Sequence, residues 1–506
     1  MTVHNLHFLA KSKQHDPVRH LLIAYVILQP ILDIYMTLFD GYIQIANTSL
    51  ATVLRFLMVA VMAAIVIIRT RKNKLTLCFV GFLGLVAVYT VIHHFNAVGF
   101  SVELAEARYS FSQELLYIAR MCIPPTLIYV ICSVKPTYAD IKKMVLGVSC
   151  IMSVVILTSN LLKFGHLAYS LDVVVIEHSM FSWFTDAAIP WSELTCRGLF
   201  QWTNQISAVM LMVLPVLFYI CLKEQRVYLW LLTALHILAM LNLGTRIASI
   251  CCILVFFGIV FLFVLEKIIH KETFKDQSKN LLCFILSTAV ILPFFLNAPI
   301  MHKEPEIVPP SACIQEAYID PASLTPQEKL LYLQEALPKA YIQPIHPYTE
   351  YPYEEDLDFW YDLIHNMPVE EYSGNRKLRP LMVARILERD DRVSNYLWGI
   401  SYTRSSSFVW PERDIQTQFD SLGILGMCLL LGPYFAGILI GIWCFFKRFF
   451  HNTRLCRCIY LMTACLGVAT AYLSGHVMNE IFPFVFLSLM TGLTINNTNI
   501  PQEDTL

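Results

Sequence analysis

The chain has 506 residues, of which 56% are hydrophobic and 15% charged. A soluble domain carries roughly 25% charged residues, so a purely soluble protein is excluded. The formal net charge of −1 gives no electrostatic basis for binding nucleic acid.

In chain order, Met1 to His20 is polar, with Lys11, Lys13 and Arg19, and no small-residue cleavage site follows it. The first apolar run therefore reads as a retained signal anchor. A membrane-spanning helix needs about 20 mostly apolar residues. Such runs are predicted at 20–39, 50–68, 75–94, 113–133, 142–162, 202–222, 227–243, 247–266, 280–297, 420–446, 456–475 and 477–495. The fold class is thus an all-α polytopic membrane protein of about 12 transmembrane helices. Its divisions are an N-terminal bundle over 1–297, a large loop over 298–419, and C-terminal helices with a short tail over 420–506. Basic clusters test the count. Arg69 to Lys74, Lys135 with Lys142 and Lys143, Lys223 with Arg226, Lys267 to Lys279, and Lys447 to Arg457 all fall on one side. The positive-inside rule makes that side cytoplasmic, with both termini on it and the large loop extracytoplasmic.

The loop has two characters. Residues 301–353 hold nine prolines, which predicts extended chain. Residues 350–371 hold eight acids and no Lys or Arg, and a basic stretch with Arg376, Lys377, Arg379, Arg385, Arg389 and Arg392 follows. Helices are predicted at 325–337, 355–365 and 377–390, folding as a cap over the membrane part. A short interfacial helix is expected at 102–112. The patch Glu354-Glu355-Asp356 reads as a solvated face ahead of a metal site. Most of the 15 cysteines lie in apolar runs and act as small hydrophobes. Cys196 and Cys313 share the loop side, where a disulfide between them stays open. No CxxC pair or internal repeat is present.

Charges at the ends of spans are costly and therefore informative. Arg246 lies in the polar break Leu241-Asn242-Leu243-Gly244-Thr245-Arg246, where it either grips a phosphate bidentately or snorkels from a tight turn. Arg197 precedes the sixth span and reads as either a ligand contact or an interfacial anchor. Asp33 follows Gln29-Pro30 and reads first as a structural partner, with Arg55 as its candidate cation. Glu412 and Asp414 stand where the loop re-enters the membrane; they offer a carboxylate to a reacting hydroxyl, or simply an acidic first helical turn. The group suggests a chamber on the loop side: two arginines suit a diphosphate, and a carboxylate suits an attacking hydroxyl.

Taken together, these segments resemble the O-antigen ligase/polymerase superfamily of bacterial envelope glycosyltransferases. Ile27-Leu28-Gln29-Pro30-Ile31-Leu32-Asp33 resembles the first helix of members common in Gram-positive bacteria. Arg197-Gly198-Leu199-Phe200 through Asn204-Gln205-Ile206-Ser207-Ala208 resembles the Gly-x-Phe…Asn-Glx-x-Ser/Ala segment, and Gly244-Thr245-Arg246-Ile247-Ala248 the Ser/Thr-Arg-Gly/Ala turn. In the loop, Ser373-Gly374-Asn375-Arg376 resembles a Ser-Gly-Arg element. Trp398-Gly399-Ile400-Ser401-Tyr402 stands at a Gly-x-Gly stretch, with Ser401 in place of the second glycine. No histidine lies between 366 and 450, where the ligase branch carries one; Glu412 and Asp414 stand there instead.

The resemblance implies a GT-C-like fold and a polyprenyl-diphosphate-linked oligosaccharide donor used at the outer face of a bacterial cell membrane, with no metal or other cofactor. Arg197 and Arg246 carry over as diphosphate contacts, and Asn204 as a further substrate contact. Glu412 or Asp414 orients or deprotonates the hydroxyl of a saccharide acceptor, while Arg376 and Arg404 hold saccharide or phosphate in the cap. The expected partners are these substrates, membrane lipid and other polysaccharide assembly proteins. The expected activity is polymerisation of a cell-surface polysaccharide such as a capsule. The alternatives are a ligase acting on a lipid, wall or protein acceptor and, in another class, a flippase or exporter. An exporter requires charge along the membrane midplane, whereas these charges gather at the loop side.

Overall fold

A computed structural model describes residues 16–39, 44–45, 48–102, 108–169, 174–185, 189–271, 285, 289, 291–303, 323–339, 351–372, 375–406, 413–447 and 449–497. Apolar runs within the described residues become helices, because a backbone in lipid must satisfy its own hydrogen bonds. The first eight are α1 (Pro17–Phe39), α2 (Leu50–Thr70), α3 (Lys74–Val98), α4 (Phe111–Val134), α5 (Tyr138–Leu161), α6 (Thr203–Glu224), α7 (Val227–Asn242) and α8 (Arg246–His270). The loop contributes α9 (Pro326–Lys339), α10 (Leu357–Asn366), α11 (Asn375–Asp390) and α12 (Val393–Trp398). The chain then re-enters the bundle as α13 (Asp414–Lys447), α14 (Leu455–Leu473) and α15 (Ile481–Asn497). Two short antiparallel pairs, β1 (Gln44–Ile45) with β2 (Thr48–Ser49) and β3 (Phe164–Gly165) with β4 (Val174–Val175), are the strands of the described residues.

Among the described residues, nine helices are long and apolar enough to cross a membrane, and α7 and α15 are shorter apolar helices. Eleven of the twelve predicted spans are thereby placed. The twelfth, 280–297, lies largely outside the described residues, with Leu292–Leu296 helical at its end. The helix expected at 102–112 falls partly outside them too; residues 108–110 are not helical.

Local chemistry sets the helix ends. Ser49 caps α2 by accepting from Thr52 N, and Thr137 with Asp140 forms a capping box on α5. Thr245 caps α8. α6 is apolar on every side and packs against α5, α7, α8, α14 and α15, so it forms the axis of the bundle. Ion pairs tie helices at the basic face: Arg69 to Asp16 at 2.7 Å, Arg19 to Asp140 at 3.3 Å, Lys142 to Glu224, and Arg454 to Glu266 at 3.8 Å.

The cap has its own core of Leu333, Trp360, Ile364, Met382 and Ile386, which also takes in Phe100 from the α3–α4 connection and Ile400. Its helices match the predicted loop helices to within two residues at most ends. Asp356 organises the acidic patch rather than leaving it solvated: it accepts from Arg385 Nε at 2.7 Å, from the Tyr351 hydroxyl and from Phe359 N. Burial alone would raise its pKa, but the bonds from Arg385, Tyr351 and Phe359 hold it below the ordinary carboxylate value. The stabilisation is complete above the unfolded value of about 3.9 and is lost as pH falls through the lower folded one. Hydrogen exchange in α10 and α11 is therefore expected to speed up on acidification below about pH 4 in the wild type, and much less in Asp356→Asn. Equal acceleration in both would show that this carboxylate is not the sensitive group.

Two backbones cross where cap meets bundle. α13 is interrupted at Gly423 (φ 66°, ψ 179°), and Gly399 (φ 81°) lies against it. A Cβ on Gly423 would stand 2.5 Å from Gly399 N and from Leu397 carbonyl atoms. Ile400 N donates to Asp420 O at 3.0 Å and Ser401 N to Ser421 O at 3.1 Å, so the 399–401 segment pairs with the break as a strand would. Ser401 holds φ 88°, the left-handed conformation that a glycine adopts without strain, and its hydroxyl caps the turn Tyr402–Ser405.

Candidate functional site

A cavity of about 370 Å³ opens among the loop-side ends of the helices. α1 supplies Asp33 and Met36; β2 and α2 supply Thr48, Ser49, Thr52, Arg55 and Phe56. α4 supplies Gln113, Tyr117 and Arg120, the approach to α6 supplies Gln201 and Gln205, and Tyr402 and Glu480 close it from the cap and the start of α15.

The charges are spread around the walls. Asp33 is buried and accepts from Gln201 N at 3.0 Å. Arg55 donates through Nε to Gln29 Oε1 at 3.0 Å and through Nη1 to the Met36 sulfur, while its Nη2 has no hydrogen-bond partner among the described residues. Arg120 lies over the rings of Tyr117 and Tyr402, at 5.3 and 5.6 Å, with its Nε likewise unpartnered among them. Those two rings stack at 3.7 Å. Two guanidiniums, two carboxylates, three amides and two stacked tyrosines make a cavity of no net charge that is rich in directional donors and acceptors. Such a lining suits a polyol ring bearing or adjoining an oxyanion.

Arg197 sits beside this cavity. Its segment is held by Cys196 N to Asn242 O at 2.8 Å and by exchange with His166, whose N donates to Gly198 O and whose O accepts from Arg197 N. Its guanidinium is buried and reaches Ala168 O at 3.5 Å. Burial holds its pKa below the ordinary arginine value, and the Asp33 carboxylate opposes that effect. Arg246, at the first residue of α8, is exposed. The turn before it is fixed by Gly244 (φ 61°), where a Cβ would collide with Thr195, and by the Thr245 hydroxyl bonded to Ser207 at 2.8 Å. Burial raises the Tyr169 hydroxyl to about 12 against the opposing charges of Arg246 and Arg376.

The remaining predicted residues separate. Arg376 donates to Leu473 O and Ser474 O. The Asp414 carboxylate accepts the main-chain N–H groups of His476, Val477 and Met478, at 2.8, 2.7 and 2.8 Å. The carboxylate expected to serve as a base is thus buried and engaged by main chain, tying the start of α13 to the α14–α15 connection. Arg376 and Asp414 thus converge on the α14–α15 connection, which carries Glu480 to the cavity. Arg404 is committed to Ala97 O at 2.7 Å and to the Phe100 and Tyr109 rings, pinning the cap to α3. Asn204 is not among the cavity-lining residues, whereas Gln205 is. Glu412 lies outside the described residues, as does Cys313; the Cys196 thiol donates to Ile156 O.

Sequence reasoning passed over Arg120, Glu480 and the buried pair His93–Glu114. Glu114 accepts from His93 Nε2 at 2.9 Å and from Tyr402 N and Thr403 N, fixing the tyrosine that lines the cavity. The signal was present, because each is a charge within or bordering an apolar run. Arg120 is the tenth residue of α4, about 14 Å along the helix axis. No group of His, Cys, Asp and Glu among the described residues is placed to hold a metal ion.

A multi-pass helical bundle with a helical cap and a polar cavity on the cap side is an integral membrane protein. The family model described as O-antigen ligase like membrane protein matches residues 15–500, and the chain belongs to that family. No curated protein and no solved structure matches it. Membership supports a polysaccharide-processing role in a membrane and, in coarse terms, glycosyl transfer.

Proposed function

We propose that this protein polymerises lipid-linked saccharides at the membrane face bearing the cap, the outer face of the cell membrane. A growing chain leaves its polyprenyl diphosphate and joins a hydroxyl of another lipid-linked unit. The observation that carries this reading is the cavity, whose separated guanidiniums and carboxylates, amides and stacked tyrosines match a saccharide adjoining a diphosphate. A diphosphate leaving group needs charge neutralisation more than protonation, which preorganised cations supply. Arg197 and Arg246 take that role, with the α8 N-terminus adding donors. Arg55 and Arg120 face the sugar and the scissile bond.

The test uses purified protein and lipid-linked repeat units, with products resolved by length. Wild type is expected to build a ladder, and Arg246→Ala to slow it by about 100-fold or more. A stably made Arg246→Ala protein that still builds full-length polymer would sink the diphosphate assignment. Single transfers to an added acceptor, without a ladder, favour the ligase alternative. No transfer to any acceptor favours the exporter.

A further inference from the structure

We propose that Glu480 is the group that accepts the proton of the attacking hydroxyl, held in place by Asp414; this rests on the glycosyl-transfer reading above. Of the two carboxylates lining the cavity, Asp33 is buried and already accepts from Gln201 N. Glu480 is half-buried, and its carboxylate has no hydrogen-bond partner among the described residues. It lines the same cavity as Asp33, Arg55 and Arg120. Its main chain is fixed from both sides. Its carbonyl accepts from Phe484 N in the first turn of α15, and the preceding residues are gripped by Asp414 and by Gln418, which donates to Asn479 Oδ1. A base needs this combination of an open acceptor and a rigid mount.

In the step itself, the acceptor hydroxyl gives its proton to a Glu480 oxygen while its own oxygen bonds to the anomeric carbon. The bond from that carbon to the diphosphate breaks, and its electron pair stays on the diphosphate oxygen. The groups facing Glu480 are Asp33 from α1, Arg55 from α2, Tyr117 and Arg120 from α4, and Tyr402 from the cap.

The experiment reconstitutes the full chain in liposomes with lipid-linked saccharides extracted from source cells deleted for this protein. Glu480→Gln is expected to lower the rate of transfer on the order of 100-fold or more. Protection from thermal unfolding by the same extract is expected to remain within threefold. Glu480→Asp, which keeps the charge but withdraws it by one methylene, is expected to fall between the two. A Glu480→Gln rate within threefold of wild type overturns the assignment. Should Glu480→Gln fail to fold, a Glu480→Asp protein with wild-type rate does the same. Failure of the glycosyl-transfer reading shows separately, as a wild type that transfers nothing.

Discussion

Gly423→Ala is expected to be among the most damaging single substitutions in the chain, lowering stability by about 3–5 kcal/mol. Two costs add. The left-handed φ of 66° disfavours any side chain, and the new methyl would press on the backbone of Leu397 and Gly399 rather than on a flexible side chain. Because Ile400 and Ser401 pair with Asp420 and Ser421 at this point, the cap would be lifted from the bundle rather than shifted locally. Thermal unfolding of detergent-purified protein measures it, as a melting temperature lowered by many degrees. Ser401→Gly is the informative contrast: it relieves backbone strain at φ 88° and forfeits a weak cap to Arg404 N at 3.3 Å, so a change within about 1 kcal/mol is expected. Similar losses in both variants would mean that the crossing does not depend on its glycines.

Arg120→Gln is expected to cut transfer by about 100- to 1,000-fold while leaving the protein folded. Glutamine keeps a donor and much of the length over the Tyr117–Tyr402 stack, but removes the charge that offsets Glu480. Arg120→Lys is not expected to restore the rate, since an ammonium lacks the planar fork that can stack and donate at once. Initial rates on lipid-linked saccharide, normalised to monodisperse protein, read it out. A rate within threefold of wild type would place the chemistry outside this cavity.

Spans were legible wherever the physics is local. Apolar runs of about 20 residues and basic connections such as Arg69 to Lys74 announced helices and their ends. The Gly244-Thr245-Arg246 turn was legible as well, because its cap and its positive φ lie within a few residues. The site was harder. Asp414 reads as an acidic first turn, and its partners lie 62 to 64 residues downstream, where no spacing rule reaches. The break in α13 looks like a small residue inside an apolar run until Gly399 is known to lie across it. Arg404, expected to hold saccharide or phosphate in the cap, is engaged with Ala97 and Phe100 through tertiary packing that no local pattern announces. Arg120 and Glu480 were visible as charges in apolar surroundings. What the sequence lacked was the three-dimensional closure that sets them on one cavity.

The axial position of α6 has a consequence for assembly in time. That helix is synthesised before α14 and α15, which flank it, and α15 also covers α4 and brings Glu480 to the cavity. Until α15 is inserted, a helix destined for the interior remains lipid-facing on one side, and the cavity lacks a wall and a carboxylate. On the proposed chemistry, the growing chain stays silent in the membrane throughout its synthesis and becomes competent only when its last described helix docks.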